Sequence, residues 1–592
     1  MTLEQIIIMS ILLIMLLLLI WGKWRYDLVA MVTLLIVTII GIVPASEAFS
    51  GFGHPAVITV AAILVVSKGL INSGIVGYIA GLMNKVGENY LLQLLLLVGA
   101  VIICSAFMNN IAALALFLPV AIRIARRNDK SPSLYLMPLA FGSLLGGLMT
   151  LVGTPPNIII SSYRAEALQI EPFGMFDFIW VGGGVALVGL VFILLYGWRL
   201  IPQRQAAISN DDLLKEVDYI TALQLTDNPR IELPTLAEIE IVSDGNVAVI
   251  SHVRDGEKQL NPSPNNILRP GDTIIVEGEP DHLQEIMDYF GLRLAEADKL
   301  SEKNLTSDQI SVIEATVTPN SRLIGETASS LRLRAQFGVN LLGMAREGTR
   351  LSKNPNQIRI RAGDVLLLQG ATETLQEVLP ILGCLPLAAR DIRIGKRNRL
   401  LSGVGIFITV LIVAVLDIMP VQIAFMAGAA AMVIAKSLTL REAYESVEWP
   451  IIILLGALIP VSQAFETTGS ADVIAQFILG LSLTAPPWAT LMILLGATLL
   501  LSNVVNNAAA ALIMAPIAVN MASGLGSTTD PFLMAVAVGA SCAFLTPIGH
   551  QSNLLVMGPG GYKFGDYWRL GLPLTLLVLV VATPLILLFW PL

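Results

Sequence analysis

Apolar residues run through this chain in blocks of bilayer-crossing length, and the blocks fall into two sets of six. The first set lies at 5–22, 27–44, 55–75, 90–124, 133–170 and 177–200. The second lies at 400–417, 420–436, 449–466, 488–524, 531–562 and 570–591. Runs such as Ile6 to Ile20 and Leu572 to Leu588 approach the roughly 20 apolar residues that a membrane helix needs. No Ala-x-Ala cleavage pattern follows the first run, so it reads as a retained helix rather than a signal peptide. Four blocks are interrupted. Those at 90–124 and 488–524 hold two adjacent Asn near their middle, where an unsatisfied amide at bilayer depth is costly. Each is predicted to be a re-entrant hairpin, two short helices with the tip at mid-membrane. The blocks at 133–170 and 531–562 are broken by Gly, Pro and Asn and predict discontinuous helices. Each half then holds five crossing helices and one hairpin, a polytopic α-helical membrane fold.

The polar interruptions recur in register. Residues 105–119 read SAFMNNIAALALFLP and residues 502–516 read SNVVNNAAAALIMAP. Pro55 stands twelve residues before Ser67, and Pro450 twelve before Ser462. GTPPN (Gly153 to Asn157) and GHQSN (Gly549 to Asn553) begin 43 and 42 residues after Asn110 and Asn507. One pattern written twice in a hydrophobic chain points to a transporter built from inverted repeats, with its site where the copies meet.

Charge divides the chain a second way. Of its 592 residues 55% are hydrophobic and 14% charged, far too apolar for a soluble protein. The net charge of −8 conceals two materials, because residues 201–395 hold 28 acidic and 19 basic side chains and the rest hold 16 and 17. Nearly neutral membrane halves at 1–200 and 396–592 therefore enclose an acidic soluble insert at 201–395. No basic stripe with interleaved aromatics exists, which excludes nucleic acid as a partner. Three Cys (Cys104, Cys384, Cys542) are too few for a disulfide framework or a metal cluster. Positive charge orients the helices. Lys23, Arg25, Arg123, Arg126, Arg127, Lys130, Arg199, Arg204, Lys396, Arg397, Arg399, Lys436, Arg441, Lys563 and Arg569 all fall on one side, the cytoplasm. The insert is then cytoplasmic and both termini lie outside. The first hairpin opens from the cytoplasm and the second from the exterior, and only Arg164 is misplaced.

The insert repeats as well. Units at 230–296 and 310–386 each carry Arg-x-Gly-Asp before an apolar strand and a Leu-rich helix: Arg269 to Asp272 before TIIVEG, Arg361 to Asp364 before VLLLQG. Gly-Asp marks a turn and the alternation marks strands, so both units are predicted to be small α+β folds.

No Asp, Glu, Lys or Arg lies at the centre of a predicted span; Asp417, Glu466 and Lys68 lie towards helix ends. That counts against proton exchange on a membrane-embedded carboxylate. The core offers amides, hydroxyls and freed backbone instead. At each tip a Ser hydroxyl (Ser105, Ser502), an Asn oxygen (Asn110, Asn507) and carbonyls near Gly153 and Gly549 can converge on a hard cation, which suits sodium at about two sites. The helices that start after each Asn pair aim positive dipole ends at the midplane. With bound sodium they can hold an anion without Arg or Lys, and without sodium a dianion there is poorly compensated. His550, in the second tip loop, is a candidate substrate contact, whereas His54 reads as a helix-start residue.

On these motifs the membrane halves resemble the divalent anion:sodium symporter (DASS) family of the ion transporter superfamily. That family carries a Ser-Asn-Thr triplet at each tip and GTPPN-like loops; here the triplets read Asn109-Asn110-Ile111 and Asn506-Asn507-Ala508. The resemblance implies one sodium at Ser105, Asn110, Gly153 and Asn157, and another at Ser502, Asn507, Gly549 and Asn553. It places substrate at Asn109, Asn110, Asn506, Asn507, Thr154, Pro155 and His550. It further implies a homodimer in plasma (inner) membrane lipid, working by an elevator motion. The missing Ser and Thr hydroxyls contact carboxylates in dicarboxylate carriers, and Asn N–H groups suit an inorganic oxyanion, so sulfate is expected over succinate or citrate. GETASSLRLRAQFGVNLLGMAREG (Gly325 to Gly348) resembles the RCK-C (TrkA C-terminal) domain, whose members dimerise and sometimes bind small regulatory ligands. The combination resembles the sulfate-transporter-like branch of algae and bacteria. The expectation is a sodium-coupled sulfate symporter and not an enzyme. A sodium/dicarboxylate symporter and an arsenite-type efflux permease are the alternatives.

Overall fold

The computed structural model describes residues 1–21, 23–73, 89–128, 130–204, 219–226, 234–243, 247–254, 257–260, 262–263, 265–278, 280–294, 310–319, 321–347, 349–351, 357–387, 397–481 and 486–592. The chain divides into two units, Met1–Gln205 with Leu387–Leu592, and Ala206–Pro386. The first half of the larger unit supplies α1 (Leu3–Trp21), α2 (Tyr26–Ile39), α3 (Pro55–Asn72), α4 (Tyr90–Ser105), α5 (Asn110–Arg127), α6 (Ser133–Gly147), α7 (Pro155–Leu168) and α8 (Ile179–Leu200). Proline opens α3 and α7, positions where its missing N–H has no intrahelical partner to lose. Helix is abandoned at 106–109, around the Asn pair, and at 148–154, before Pro155.

The smaller unit holds two lobes of one plan. The first is β1 (Tyr219–Leu225), α9 (Leu236–Val242), β2 (Val247–Arg254), β3 (Glu257–Leu260), β4 (Thr273–Gly278), α10 (Pro280–Phe290) and β5 (Leu292–Leu294). The second is β6 (Ile310–Val317), α11 (Leu333–Phe337), β7 (Asn340–Arg346), β8 (Thr349–Arg350), β9 (Val365–Ala371), α12 (Thr372–Leu382) and β10 (Cys384–Pro386). The strand orders β3-β2-β4-β1-β5 and β10-β6-β9-β7-β8 are the same order read from opposite ends. Even the register shift recurs, between Val249 and Ser251 in β2 and between Leu341 and Gly343 in β7. The first lobe takes in β1, which pairs along β4 upstream of the boundary expected at 230. Within the stretch quoted for the second lobe, Gly348 lies outside the described residues.

Each Arg-x-Gly-Asp turn is pinned the same way. Gly271 and Gly363 sit at φ of +92° and +84°, where a side chain would be strained. Asp272 accepts the Arg269 N–H at 2.9 Å and the Arg254 guanidinium at 2.6 Å; Asp364 accepts the Arg361 N–H and the Arg346 guanidinium, each at 2.8 Å. Burial alone would raise the Asp272 pKa. Arg254, the Arg269 N–H and His252 together outweigh it and hold the carboxyl below its ordinary value.

The second half of the larger unit supplies α13 (Arg397–Val415), α14 (Val421–Ile434), α15 (Leu440–Ser446), α16 (Trp449–Thr467), α17 (Ser470–Leu481), α18 (Pro487–Ser502), α19 (Asn507–Leu525), α20 (Asp530–Ser541), α21 (Gln551–Gly560) and α22 (Tyr567–Phe589). Helix is abandoned at 503–506 and 542–550. The halves interlock. α7 packs on α19 and α20, and α21 packs on α5 and α6, so each half's second broken-helix segment lies against the other half's hairpin. Likewise α2 packs on α16 and α14 on α3.

Among the described residues α1, α3, α8, α16, α19 and the stretch Phe564–Phe589 are long and apolar enough to cross a membrane. Leu13 and Leu17 on α1, and Leu572, Leu576 and Val580 on α22, are exposed, a surface suited to lipid. The hairpin legs α4, α5, α18 and α19 have 16, 18, 16 and 19 residues, not the short helices expected. At 1.5 Å per residue they run about 24–28 Å, against roughly 15 Å for half the hydrocarbon. Arg126 and Arg127 end α5, so its last turn is charged rather than apolar. Arg164, the cation out of place by the positive-inside rule, is clamped by Asp530, Nε to Oδ1 at 2.7 Å and Nη2 to Oδ2 at 2.8 Å. Its charge is neutralised where it stands.

Candidate functional site at the hairpin tips

At the first tip Ser105 closes α4 and Asn110 opens α5, and both are buried. The Ser105 Oγ lies 2.7 Å from Asn110 Oδ1 and 2.7 Å from the Ser143 carbonyl of α6. One hydroxyl proton serves one of these acceptors at a time, so three oxygens share a small space. A Cβ on Gly147 would stand 2.6 Å from Asn110 Oδ1 and 3.2 Å from the Gly153 carbonyl oxygen. Only glycine lets the end of α6 approach the tip so closely, and it draws Ser105, Asn110 and Gly153 into one constellation. Asn157 turns its Nδ2 to the Thr150 and Gly147 carbonyls at 2.8 and 3.4 Å, and Thr150 Oγ1 donates to the Ala106 carbonyl. Both contacts shape the loop. Thr154 precedes Pro155 at the start of α7, and its Oγ1 is buried without a partner.

The second tip copies the scaffold of the first. Asn553 Nδ2 donates to the Ala543 and Thr546 carbonyls at 2.7 and 3.1 Å, and Thr546 Oγ1 donates to the Asn503 carbonyl at 2.8 Å. These pairs sit 396 or 397 residues after their counterparts. The centre differs. Ser502 Oγ donates to the Leu499 and Gly539 carbonyls at 3.2 and 3.1 Å, not to Asn507. Asn507 is buried with neither Nδ2 nor Oδ1 paired, and Gln551 Oε1, Ser552 Oγ and Asn553 Oδ1 are also buried and unpaired. An orphaned buried polar group costs about 1–3 kcal/mol, so these atoms call for a partner such as ordered water or a ligand. Gly549 is held close: a Cβ there would meet Asn503 Cα at 3.0 Å and the Ser502 carbonyl oxygen at 3.2 Å. His550 caps α21, Nδ1 accepting the Ser552 N–H at 3.0 Å, as His54 caps α3 through the Ala56 N–H.

Asn109 and Asn506 are N-caps. Their Oδ1 atoms accept the Ile111 and Ala508 N–H groups, each at 2.9 Å. With the oxygen committed to its own helix, each side chain has only Nδ2 to offer. In the first half that group donates to Glu448 Oε1 at 3.0 Å. Glu448 precedes α16, and its Oε2 is buried without a partner. The reading of span centres does not cover this carboxyl. Glu448 adjoins a span rather than lying inside one, and folding carries it to a tip 339 residues away in sequence. Asn503 is a second residue the motif reading passes over; its Oδ1 accepts the Leu545 N–H at 2.7 Å and its Nδ2 donates to the Leu499 carbonyl at 2.7 Å.

The model of the citrate transporter family (CitMHS) matches residues 16–539. A protein of Synechocystis described as uncharacterized transporter sll0640 is 32% identical over 570 residues, 95% of this chain and 93% of that protein. The Escherichia coli protein described as uncharacterized transporter YfbS is 28% identical over 617 residues, 99% of each chain. Sodium/sulfate cotransporter 2 of Chlamydomonas reinhardtii is 28% identical over 351 residues, 55% of this chain and 38% of that protein. Helices of membrane-crossing length, two polar-tipped hairpins and a family match over most of its length lead to one assignment: the chain belongs to the citrate transporter (CitMHS) family of membrane transport proteins.

Proposed function

We propose that this transporter is a sodium-coupled symporter that imports a divalent anion, most readily sulfate, by an elevator movement of its hairpin-bearing domain. The observation that carries the reading is the doubled tip, an oxygen set beside an amide donor at the start of a long helix, with no Lys or Arg among its residues. Sodium, as co-substrate, takes hydroxyl, amide and carbonyl oxygens at Ser105, Asn110, Gly153 and Asn157, and at Ser502, Asn507, Gly549 and Asn553. The anion takes N–H groups from Asn109, Asn110, Asn506 and Asn507, with Thr154, Pro155 and His550 at the edge. Two helix N-termini supply about +0.5 charge each. That leaves a dianion short by about one positive charge, which the two bound sodium ions more than cover.

The reciprocal packing of α7 on α19 and α21 on α5 supports inverted repeats. Ser462 Oγ donates to the Leu512 carbonyl at 2.7 Å and seats α16 on α19, while its counterpart Ser67 has a buried, unpaired Oγ and α3 lacks comparable packing on α5. One hairpin closed on its scaffold and the other released is one state of an alternating-access cycle, here open towards the cytoplasm. The relatives named as sodium/sulfate cotransporters favour sulfate. A carboxylate substrate is the second reading, favoured by the family's description and by the Glu448 carboxyl that already fits Asn109. The insert is read as a pair of cytoplasmic RCK-C domains that joins two subunits and takes a regulatory ligand.

The test is uptake of labelled sulfate, succinate and citrate into proteoliposomes, with sodium or choline outside. Sodium-dependent sulfate uptake is expected. Equal uptake in choline sinks symport, preference for succinate or citrate moves the substrate to the second reading, and sodium-independent exit from loaded vesicles makes it an efflux permease.

A further inference from the structure

We propose that Glu448 is a built-in competitor for the transported anion, its carboxyl group holding the first tip's free donor whenever substrate does not. The inference rests on the anion-binding reading above and adds to it a residue that sets affinity and release. Asn109 has its Oδ1 committed to the Ile111 N–H, so Nδ2 is all its side chain can give an anion, and one of its two N–H groups is given to Glu448 Oε1 at 3.0 Å. A structural buried carboxyl is ordinarily paired on both oxygens or matched by a cation. Glu448 Oε2 is buried without a partner, and no Lys or Arg among the described residues forms an ion pair with Glu448. The group is thus held by the tip alone, on the donor where an anionic oxygen belongs.

The device exists once. In the register that aligns Pro55 with Pro450, the position of Glu448 falls on Gly53, which has no side chain. The neighbouring His54 spends its Nε2 on Glu166 at 2.6 Å, and Asn506 Nδ2 has no partner among the described residues. The Asn109 Nδ2 carries two N–H groups and Glu448 takes one of them; a carboxylate held there crowds and repels an arriving dianion, because two negative groups at contact distance repel. Anion entry displaces Glu448; anion exit lets it return, so the buried donor is never left bare, an event that is costly in itself. Glu448 therefore weakens binding and speeds release on its own side of the membrane.

Full-length protein and its Glu448→Gln and Glu448→Ala variants decide this through sulfate-induced thermal stabilisation in sodium buffer and through KM and kcat for sulfate uptake, with citrate as a parallel probe. Gln keeps an acceptor but not the charge, and Ala removes both. Dissociation constant and KM should fall about tenfold in Ala, equivalent to ~1.4 kcal/mol, and about threefold in Gln, with sodium activation intact and kcat reduced. In an Asn109→Ala background the Glu448→Ala gain should vanish. Unchanged or raised constants in both variants overturn the proposal, as does loss of sodium activation, which would make Glu448 a cation ligand. Wild-type protein that responds to neither anion overturns the anion reading itself, a result distinct from wild-type binding that the variants leave unaltered.

Discussion

The two hairpin tips share their landmarks and differ in how those residues are satisfied. In the first, Asn110 accepts from Ser105 and Asn109 donates to Glu448. In the second, Asn507 is buried bare while Ser502 turns to main-chain carbonyls. The small residue behind each tip differs as well. Gly147 leaves the room into which Asn110 Oδ1 fits, whereas its counterpart Ala543 carries a methyl group that a side chain on Gly549 would meet at 3.0 Å. A repeated motif sets which groups reach the site. The packing behind it decides whether an amide is spent on the protein or left unpaired.

Removing each amide is the strongest way to break that comparison. Asn507→Ala deletes no internal hydrogen bond, so melting temperature should hold or rise, while sodium-dependent uptake falls on the order of 10- to 100-fold, the worth of a hydrogen bond to a charged group. Asn110→Ala should lose uptake to the same extent and in addition cost about 1 kcal/mol of stability, because Ser105 loses a partner. Thermal unfolding beside uptake checks both, and a reversed stability order would show that Asn507 is the structural amide.

Swapping the small residues comes next in size. Gly147→Ala drives a methyl group into Asn110, an overpacking worth about 1–3 kcal/mol, and the sodium concentration for half-maximal uptake should rise roughly tenfold. Ala543→Gly only removes a methyl group, costing about 1 kcal/mol, and should leave the sodium response within about twofold. Equal responses would mean that Gly147 does not create the difference between tips.

Much of this arrangement is legible in the chain. Helix breaks at 106–109 and 503–506 fall where the Asn pairs interrupt apolar runs, because an amide in hydrocarbon has to face a cavity or a partner. The Arg-x-Gly-Asp turns are legible for a similar reason, since Gly271 and Gly363 hold positive φ that few residues tolerate. The capping of Ile111 and Ala508 by Asn109 and Asn506 was within reach too, given the preference for Asn before a helix. Glu448 was not. A carboxyl at the edge of a span looks like any interfacial charge, and its meeting with Asn109 depends on how α16 lies beside the tip, which no local pattern encodes. The unpaired state of Asn507 is hidden for the same reason: it depends on what the fold sets around the side chain rather than on its own segment.

The smallest effect tests the comparison at the scaffold. Ser462→Ala removes the hydrogen bond to the Leu512 carbonyl, about 1 kcal/mol, and should loosen the second hairpin on α16. Ser67→Ala removes a buried hydroxyl that has no partner, so it should be neutral or stabilise by up to about 1 kcal/mol. Urea midpoints in detergent read the difference directly. The same pair reads the transport cycle: if Ser67 bonds the first hairpin when that one closes, Ser67→Ala slows uptake while leaving the resting state stable. A Ser67 variant as destabilised as the Ser462 variant would mean that both hairpins are equally engaged, and the asymmetry would lose its meaning.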